Sequence, residues 1–250
     1  MDTATFVDPD GRPVTAVTAA EMRAVDRVAV EEVGLDLPRM MEHAGRGLAE
    51  AVLEVRSSNR SELPVTVLAG NGGNGGGGLA CARHLANRNL SVRVVLDRAR
   101  AEVDGVTAEQ LGILEAMDVP VEAADGDSDP DPDIDAALEG VVIDALIGYG
   151  LTGQPRGATA ELIEAVGSAS EATVSLDVPS GTNATTGERP GVAVEPDLTA
   201  TLALPKTGVA AVDGDLLLVD LSIPSTAYDR LGIGYTNPFG EAFSVPLSRT

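Results

Sequence analysis

Residues 65–79 read VTVLAGNGGNGGGGL, and these fifteen positions decide the fold. A short β-branched run that ends in glycine predicts a buried strand. Positions 70–78 then hold seven glycines together with Asn71 and Asn74, and helical patterning resumes from Leu79. Glycines at a strand-to-helix junction let backbone N–H groups approach a diphosphate, and the start of the following helix adds partial positive charge. A flexible surface turn is the plain alternative. Each glycine costs backbone entropy, however, and a mere turn does not require seven of them.

The same alternation continues on the C-terminal side. SVRVVL (91–96), VPVE (119–122), VVIDAL (141–146), TVSLDV (173–178), LTATLAL (198–204) and LLLVDL (216–221) read as strands, with helices from Thr107 and near Thr159 between them. On the N-terminal side, Thr18 and Glu21 form a capping box that opens a helix to about Val33. Asp36 caps a second helix with Pro38 in its first turn, and Met41, Ala44, Leu48, Val52 and Val55 line one of its faces until SSNRSE stops it. Residues 1–14 read as a loose arm. Short apolar strands separated by helices predict an α/β fold: a Rossmann-like three-layer α/β/α sandwich with a mostly parallel sheet, in one domain over 1–250. Right-handed crossovers put every parallel strand's C-terminal end on one edge, where ligands of open α/β sheets bind.

A chain of 250 residues with 44% hydrophobic content can bury a large single core. No run of about 18 apolar residues occurs, and MDTATFVDPDGRP has neither a basic nor an apolar leader segment, so a soluble, cytoplasmic protein is expected. Cys81 is the only cysteine, which excludes an intramolecular disulfide and cysteine-built zinc clusters. Asp and Glu number 39 against 17 Lys and Arg, for a net charge of −22 and a pI near 4.2. Such a surface repels nucleic acid and anionic membranes and fits a halophile. The run ADGDSDPDPDID, with Asp125, Asp127, Asp129, Asp131, Asp133 and Asp135 on alternate positions, lacks EF-hand spacing and reads as a solvated acidic loop.

Four loops that follow strands carry the chemistry. The glycine loop is the first. The second runs from Asp144 through Ile147, Gly148, Tyr149 and Gly150 to Gln154 and Arg156. Asp144 ends an apolar strand, where a carboxylate needs a cation or hydrogen-bond donors; a cap or loop hydrogen bond is the bland reading. Arg156 suits a phosphate or a surface salt bridge equally. The third is Asp177-Val178-Pro179-Ser180-Gly181, whose aspartate either serves the site or stabilises the turn. The fourth is Pro205-Lys206. Sixteen of the seventeen basic residues are Arg, so the one lysine stands out against its reading as a solvated charge, and replacing it with Arg is expected to hurt activity while leaving thermal stability nearly unmoved. His43, His84 and Cys81 read as packing residues. A Rossmann dehydrogenase is a rival reading, with Asp97 as its ribose contact.

The segments EMRAVDRVAVEEVGLDLPRMMEHAG, GNGGNGGGGL, VVIDALIGYGLTGQPRG, LDVPSGTNATTGE, DLTATLALPKTG and LLLVDLSIP, in this order, resemble the YjeF N-terminal domain family, the NAD(P)H-hydrate epimerases. The resemblance implies an isomerase that interconverts the R and S forms of NADH or NADPH hydrated at C6, and supplies the S form to a dehydratase. It implies a bound K+ held by Asn74, Asp144 and Ser180. Substrate contacts carry over to Gly73, Asn74, Gly75, Gly76 and Gly77, to Gly148, Tyr149, Gly150, Leu151, Thr152, Gly153 and Gln154, and to Asp177. Asp177 is the expected acid and base, with Lys206 as a second catalytic residue. Where the family usually reads N-N-G-G-D-G, this chain has Gly73 and Gly77 in place of the first Asn and the Asp, so side-chain contacts there are lost while backbone contacts to phosphate persist. No dehydratase domain follows in the chain, so that partner is expected to be a separate protein. Self-association is left open as far as a homodimer. A non-catalytic binding module of the same fold is the rival from another class.

Overall fold

The computed structural model describes residues 5–57, 62–124 and 138–250. The acidic run from Asp125 to Asp135 lies outside the described residues. Among those described, ten strands form one sheet: β1 (Phe6–Val7), β2 (Pro13–Val14), β3 (Val65–Ala69), β4 (Val92–Leu96), β5 (Val121–Ala123), β6 (Val141–Ala145), β7 (Ala172–Leu176), β8 (Leu198–Leu202), β9 (Asp215–Val219) and β10 (Ser244–Arg249). Their order is β2-β1-β10-β9-β8-β7-β6-β3-β4-β5. Strands β3 through β9 are mutually parallel, and β10, β1 and β2 extend one edge antiparallel. From β3 the order runs outward to β5 on one side and from β6 to β9 on the other. The loops after β3 and β6 therefore diverge at the topological switch point, where open α/β sheets leave a crevice.

The helices are α1 (Ala19–Arg27), continued by a π-helical segment Val28–Val33, then α2 (Leu37–Ser57), α3 (Gly73–Ala86), α4 (Gly105–Glu115), α5 (Gly157–Ala169) and α6 (Ser225–Arg230). Strand alternation sends Val65 and Val67 to one face, under Leu48 and Val52 of α2, Leu79 and Leu85 of α3 and Leu111 of α4. Leu68, Val95 and Val142 turn to the other face, against Leu162, Ile163 and Val166 of α5. This is the expected three-layer sandwich. The Thr18–Glu21 capping box forms, and Asp36 accepts from Arg39 N at 3.1 Å. No helix among the described residues is long and apolar enough to cross a membrane.

Two expectations give way. Residues 5–14 are not a loose arm: Phe6 pairs with Arg249 and Val14, and its side chain is fully buried. The turn between the two short strands is held by Asp8, whose Oδ1 accepts from Asp10 N at 3.0 Å and Arg12 N at 2.8 Å. The second correction concerns α3, which begins at Gly73 rather than Leu79. Gly75 to Gly78 are buried helical residues, not loop. They are small because the helix lies against its neighbours: a Cβ on Gly75 would sit 1.7 Å from Gly70 O, and one on Gly78 would sit 2.5 Å from Ala145 Cβ. Gly73, by contrast, has nothing within 4 Å of a built Cβ. We expect Gly75→Ala, which collides with backbone that cannot swing aside, to lower stability by about 3 kcal/mol or more in denaturant unfolding. Gly73→Ala should change stability by no more than about 0.5 kcal/mol. Equal effects of the two changes would contradict this packing.

Candidate active site

A cavity of about 740 Å³ opens at the C-terminal edge of the parallel strands. Its floor at the switch point is made by Gly72, Gly73 and Asn74 from the start of α3 and by Leu146 to Gly150 after β6. The amides of Gly73, Asn74 and Gly75 open the helix, and the first intrahelical bond runs from Gly76 N to Gly72 O at 2.9 Å. Those first-turn N–H groups lack helical acceptors, so they and the helix dipole suit an anion.

The strand ends beyond the switch point supply a buried ion pair. Asp177 follows β7 with φ of 68°, a left-handed conformation that Asp tolerates better than most residues. Strain of this kind persists where the surroundings over-determine it, typically at functional sites. Its Oδ1 accepts from Lys206 Nζ and from Leu202 N at 3.4 Å, and its Oδ2 accepts from Tyr149 N at 3.2 Å. Lys206 is 1% exposed and Asp177 3%. Lys206 Nζ also donates to Leu202 O at 2.8 Å. Its backbone is pinned by Val17, whose N–H donates to Pro205 O at 3.0 Å and whose carbonyl accepts from Thr207 N at 2.9 Å. The lysine is thus part of a built site and not a solvated charge.

Asp144 lies in β6, in register with Leu68 of β3 and Ser175 of β7, and is fully buried. Ser175 Oγ donates to its Oδ2 at 2.7 Å, Ser180 N does so at 2.8 Å, and Ser180 Oγ donates to its Oδ1. Burial pushes the Asp144 carboxyl above its ordinary range, and the hydrogen bonds from Ser180 and Ser175 pull it back. Ile147 N donates to Ser180 Oγ at 2.9 Å, while the neighbouring Gly148 has Asn74 Oδ1 3.0 Å from its built Cβ position. One loop therefore touches Ser180 on one side and Asn74 on the other. The Asn74 amide nitrogen is buried without a hydrogen-bond partner. Among the described residues no three His, Cys, Asp or Glu side chains cluster as a metal site, so a cation here would rest on a mixed set of oxygen donors.

Asp177, Lys206, Asn74, Gly73, Gly148, Tyr149 and Gly150 all line the cavity. Gly76 and Gly77 instead face Met41 and Leu176, and Leu151 to Gln154 run past the cavity lining. His43 is exposed, His84 Nε2 lies 2.8 Å from Glu42 Oε1, and Cys81 is buried in α3. Asp97 reaches the cavity wall, but its Oδ1 accepts from Arg98 Nε at 2.8 Å and its Oδ2 from Thr159 Oγ1 at 2.8 Å.

The sequence pattern of the family described as YjeF-related protein N-terminus matches residues 38–208. The chain belongs to this family. It is 43% identical over 245 residues to the NAD(P)H-hydrate epimerase of Dehalogenimonas lykanthroporepellens, with 97% of each chain covered. The NAD(P)H-hydrate epimerase of Elusimicrobium minutum is 32% identical over 221 residues, which is 86% of this chain and 99% of that one. A bifunctional NAD(P)H-hydrate repair enzyme of Salinibacter ruber is 36% identical over 227 residues, covering 86% of this chain and 42% of the longer one. Among crystal structures, yeast ynu0 shares the fold with a TM-score of 0.78 at 21% identity, covering 95% of this chain and all of that one.

In this YjeF-type domain the cavity also recruits residues that strand-end reasoning passed over. Met22, Arg23 and Asp26 of α1 form one wall. Tyr149 Oη donates to Asp26 Oδ2, and the Arg23 guanidinium lies 5.6 Å from the Tyr149 ring centroid. A signal existed: Asp26 falls four residues after Met22 and next to Val25, on the face that α1 buries.

Proposed function

We propose that this chain interconverts the R and S epimers of NADH or NADPH hydrated at C6, a repair reaction on damaged nicotinamide coenzyme. The observation that carries this reading is the buried Asp177–Lys206 pair facing the same cavity as the opening turn of α3, in a chain of the epimerase family. The diphosphate lies against the N–H groups of that turn, and the hydrated ring reaches Asp177, Lys206 and Tyr149. The substrate carbon bears both a hydroxyl and the ring nitrogen. Protonation of the hydroxyl lets the nitrogen lone pair expel it as water, and water returning to the opposite face inverts the centre. A carboxylate positioned at that carbon is the group such proton transfer needs. Lys206 holds Asp177 in place and offsets charge around the reacting ring.

K+ is part of this proposal. The amide of Asn74, the buried carboxylate of Asp144 and the hydroxyl of Ser180 are the oxygen donors a hard monovalent cation accepts. Bound there, the ion would supply positive charge beside the buried Asp144 carboxylate.

The S epimer is the form handed to a dehydratase, and the bifunctional relatives, matched over less than half their length, carry the word repair in their names. We place the protein in the cytoplasm of a salt-adapted cell, from its acidic surface and single cysteine. With a net charge of −22, self-repulsion falls as salt screens it. The melting temperature should rise steeply between about 0.05 M and about 2 M KCl, where the Debye length drops below about 3 Å. A flat response contradicts the salt adaptation.

The experiment for the activity couples the chain to a dehydratase specific for the S hydrate. Purified protein in KCl should accelerate loss of the R hydrate. An unchanged rate leaves the non-catalytic binding module as the reading.

A further inference from the structure

Tyr149 joins two carboxylates. Its backbone N–H donates to Asp177 Oδ2 at 3.2 Å and its hydroxyl donates to Asp26 Oδ2. All three residues line the cavity, and Lys206 Nζ, bonded to Asp177, lies 5.9 Å from the tyrosine ring centroid. The two carboxylates are thus set apart by the length of one tyrosine. Inversion at C6 asks for such an arrangement, because the hydroxyl leaves from one face and water arrives at the other. Where a substrate ring stands between a leaving group and an incoming water, two separated carboxyl groups divide the proton transfers.

Resting on the epimerase reading, we propose that Asp26 and Asp177 are the two proton-transfer groups of the reaction, one for each face of the hydrated ring, with Tyr149 fixing their separation. In one direction protonated Asp26 gives its proton to the C6 hydroxyl as the C–O bond breaks. The ring nitrogen supplies the electron pair for a C=N bond, and water leaves. A water molecule then adds to the opposite face of C6, the C=N pair returns to nitrogen, and the surplus proton of that water passes to Asp177. The reverse direction exchanges the two roles, and solvent restores the proton between turnovers. No oxidant or reductant enters.

The surroundings suit Asp26 to carry a proton. Burial pushes its carboxyl above the ordinary range; the hydrogen bond from Tyr149 and the charge of Lys206 oppose that rise, and the charge of Asp177 adds to it. Arg23 on the same helix lies over the Tyr149 ring, and from α6 the Tyr228 hydroxyl feels the charge of Asp26. A raised value keeps the acid form present at higher pH than an exposed aspartate would. Turnover that needs this acid is therefore retained below that value and lost as pH rises through it.

Initial rates from pure R and from pure S hydrate, measured against pH for wild type, Asp26→Asn and Tyr149→Phe, test the proposal. Asp26→Asn should lower kcat about a hundredfold in both directions with KM within about twofold, and should abolish the alkaline fall of the wild-type profile. Tyr149→Phe keeps the ring and loses the hydroxyl bond to Asp26. It should lower kcat about tenfold and move the alkaline limb, which keeps the test alive if the asparagine variant does not fold. An active wild type with an Asp26→Asn kcat within about threefold, or with both variants keeping the wild-type pH profile, overturns the two-carboxylate proposal alone. A wild type inactive in both directions overturns the epimerase reading and this proposal with it.

Discussion

Asp177→Ala lowers the rate of epimerisation by about two to four orders of magnitude, the range that positioned acid–base groups contribute. The expectation rests on placement. Asp177 is 3% exposed yet lines the cavity, and it is presented in a left-handed backbone conformation by a chain that needs a strained turn to do so. Three donors fix its oxygens: Lys206 Nζ, Tyr149 N and Leu202 N. Asp177→Asn keeps the shape and loses the capacity to exchange a proton, so it should fall nearly as far. Coenzyme binding measured by calorimetry should survive in the asparagine variant. A loss below about tenfold for both variants would move the proton transfer to another group.

Lys206→Ala should lower stability by about 3–5 kcal/mol, because removing one partner of a buried ion pair leaves the other charge without compensation. Both partners are enclosed, at 1% and 3% exposure, so solvent does not screen the loss. The sequence alone led to the expectation that Lys206→Arg would spare stability. The buried position changes it: a planar guanidinium does not reproduce the compact ammonium's bonds to both Asp177 Oδ1 and Leu202 O, and a buried polar group left unpaired costs about 1–3 kcal/mol. Urea unfolding of the two variants checks both values. A shift below about 0.5 kcal/mol for Lys206→Ala would mean that Asp177 finds other compensation.

Much of the architecture was legible because local signals agreed with the global fold. The strand at Val65–Ala69 and the capping box at Thr18 each named an element that the structure contains. Asp144, Asp177 and Lys206 were legible as charged groups ending apolar strands. Other features were hidden by competing physics. Glycine's poor helix propensity argued for a loop over 73–78, but packing of α3 against Met41, Leu176 and Ala145 demands small residues there and overrides propensity. The N-terminal hairpin did carry a turn signal in Asp8-Pro9-Asp10-Gly11 between Phe6-Val7 and Pro13-Val14, yet strands of two residues fall below what periodicity detects. Asp26 was missed because a carboxylate on a helix reads as solvated until a tertiary partner, here Tyr149, is known.

Chromatographic resolution of the two hydrates over time shows directly whether this chain epimerises them. Pure R hydrate incubated with the protein in KCl should relax to the mixture of R and S reached far more slowly without it, and Asp177→Ala should leave R nearly untouched on the same time scale. Relaxation no faster with the protein than in buffer alone would mean that the chain is not an epimerase of these hydrates.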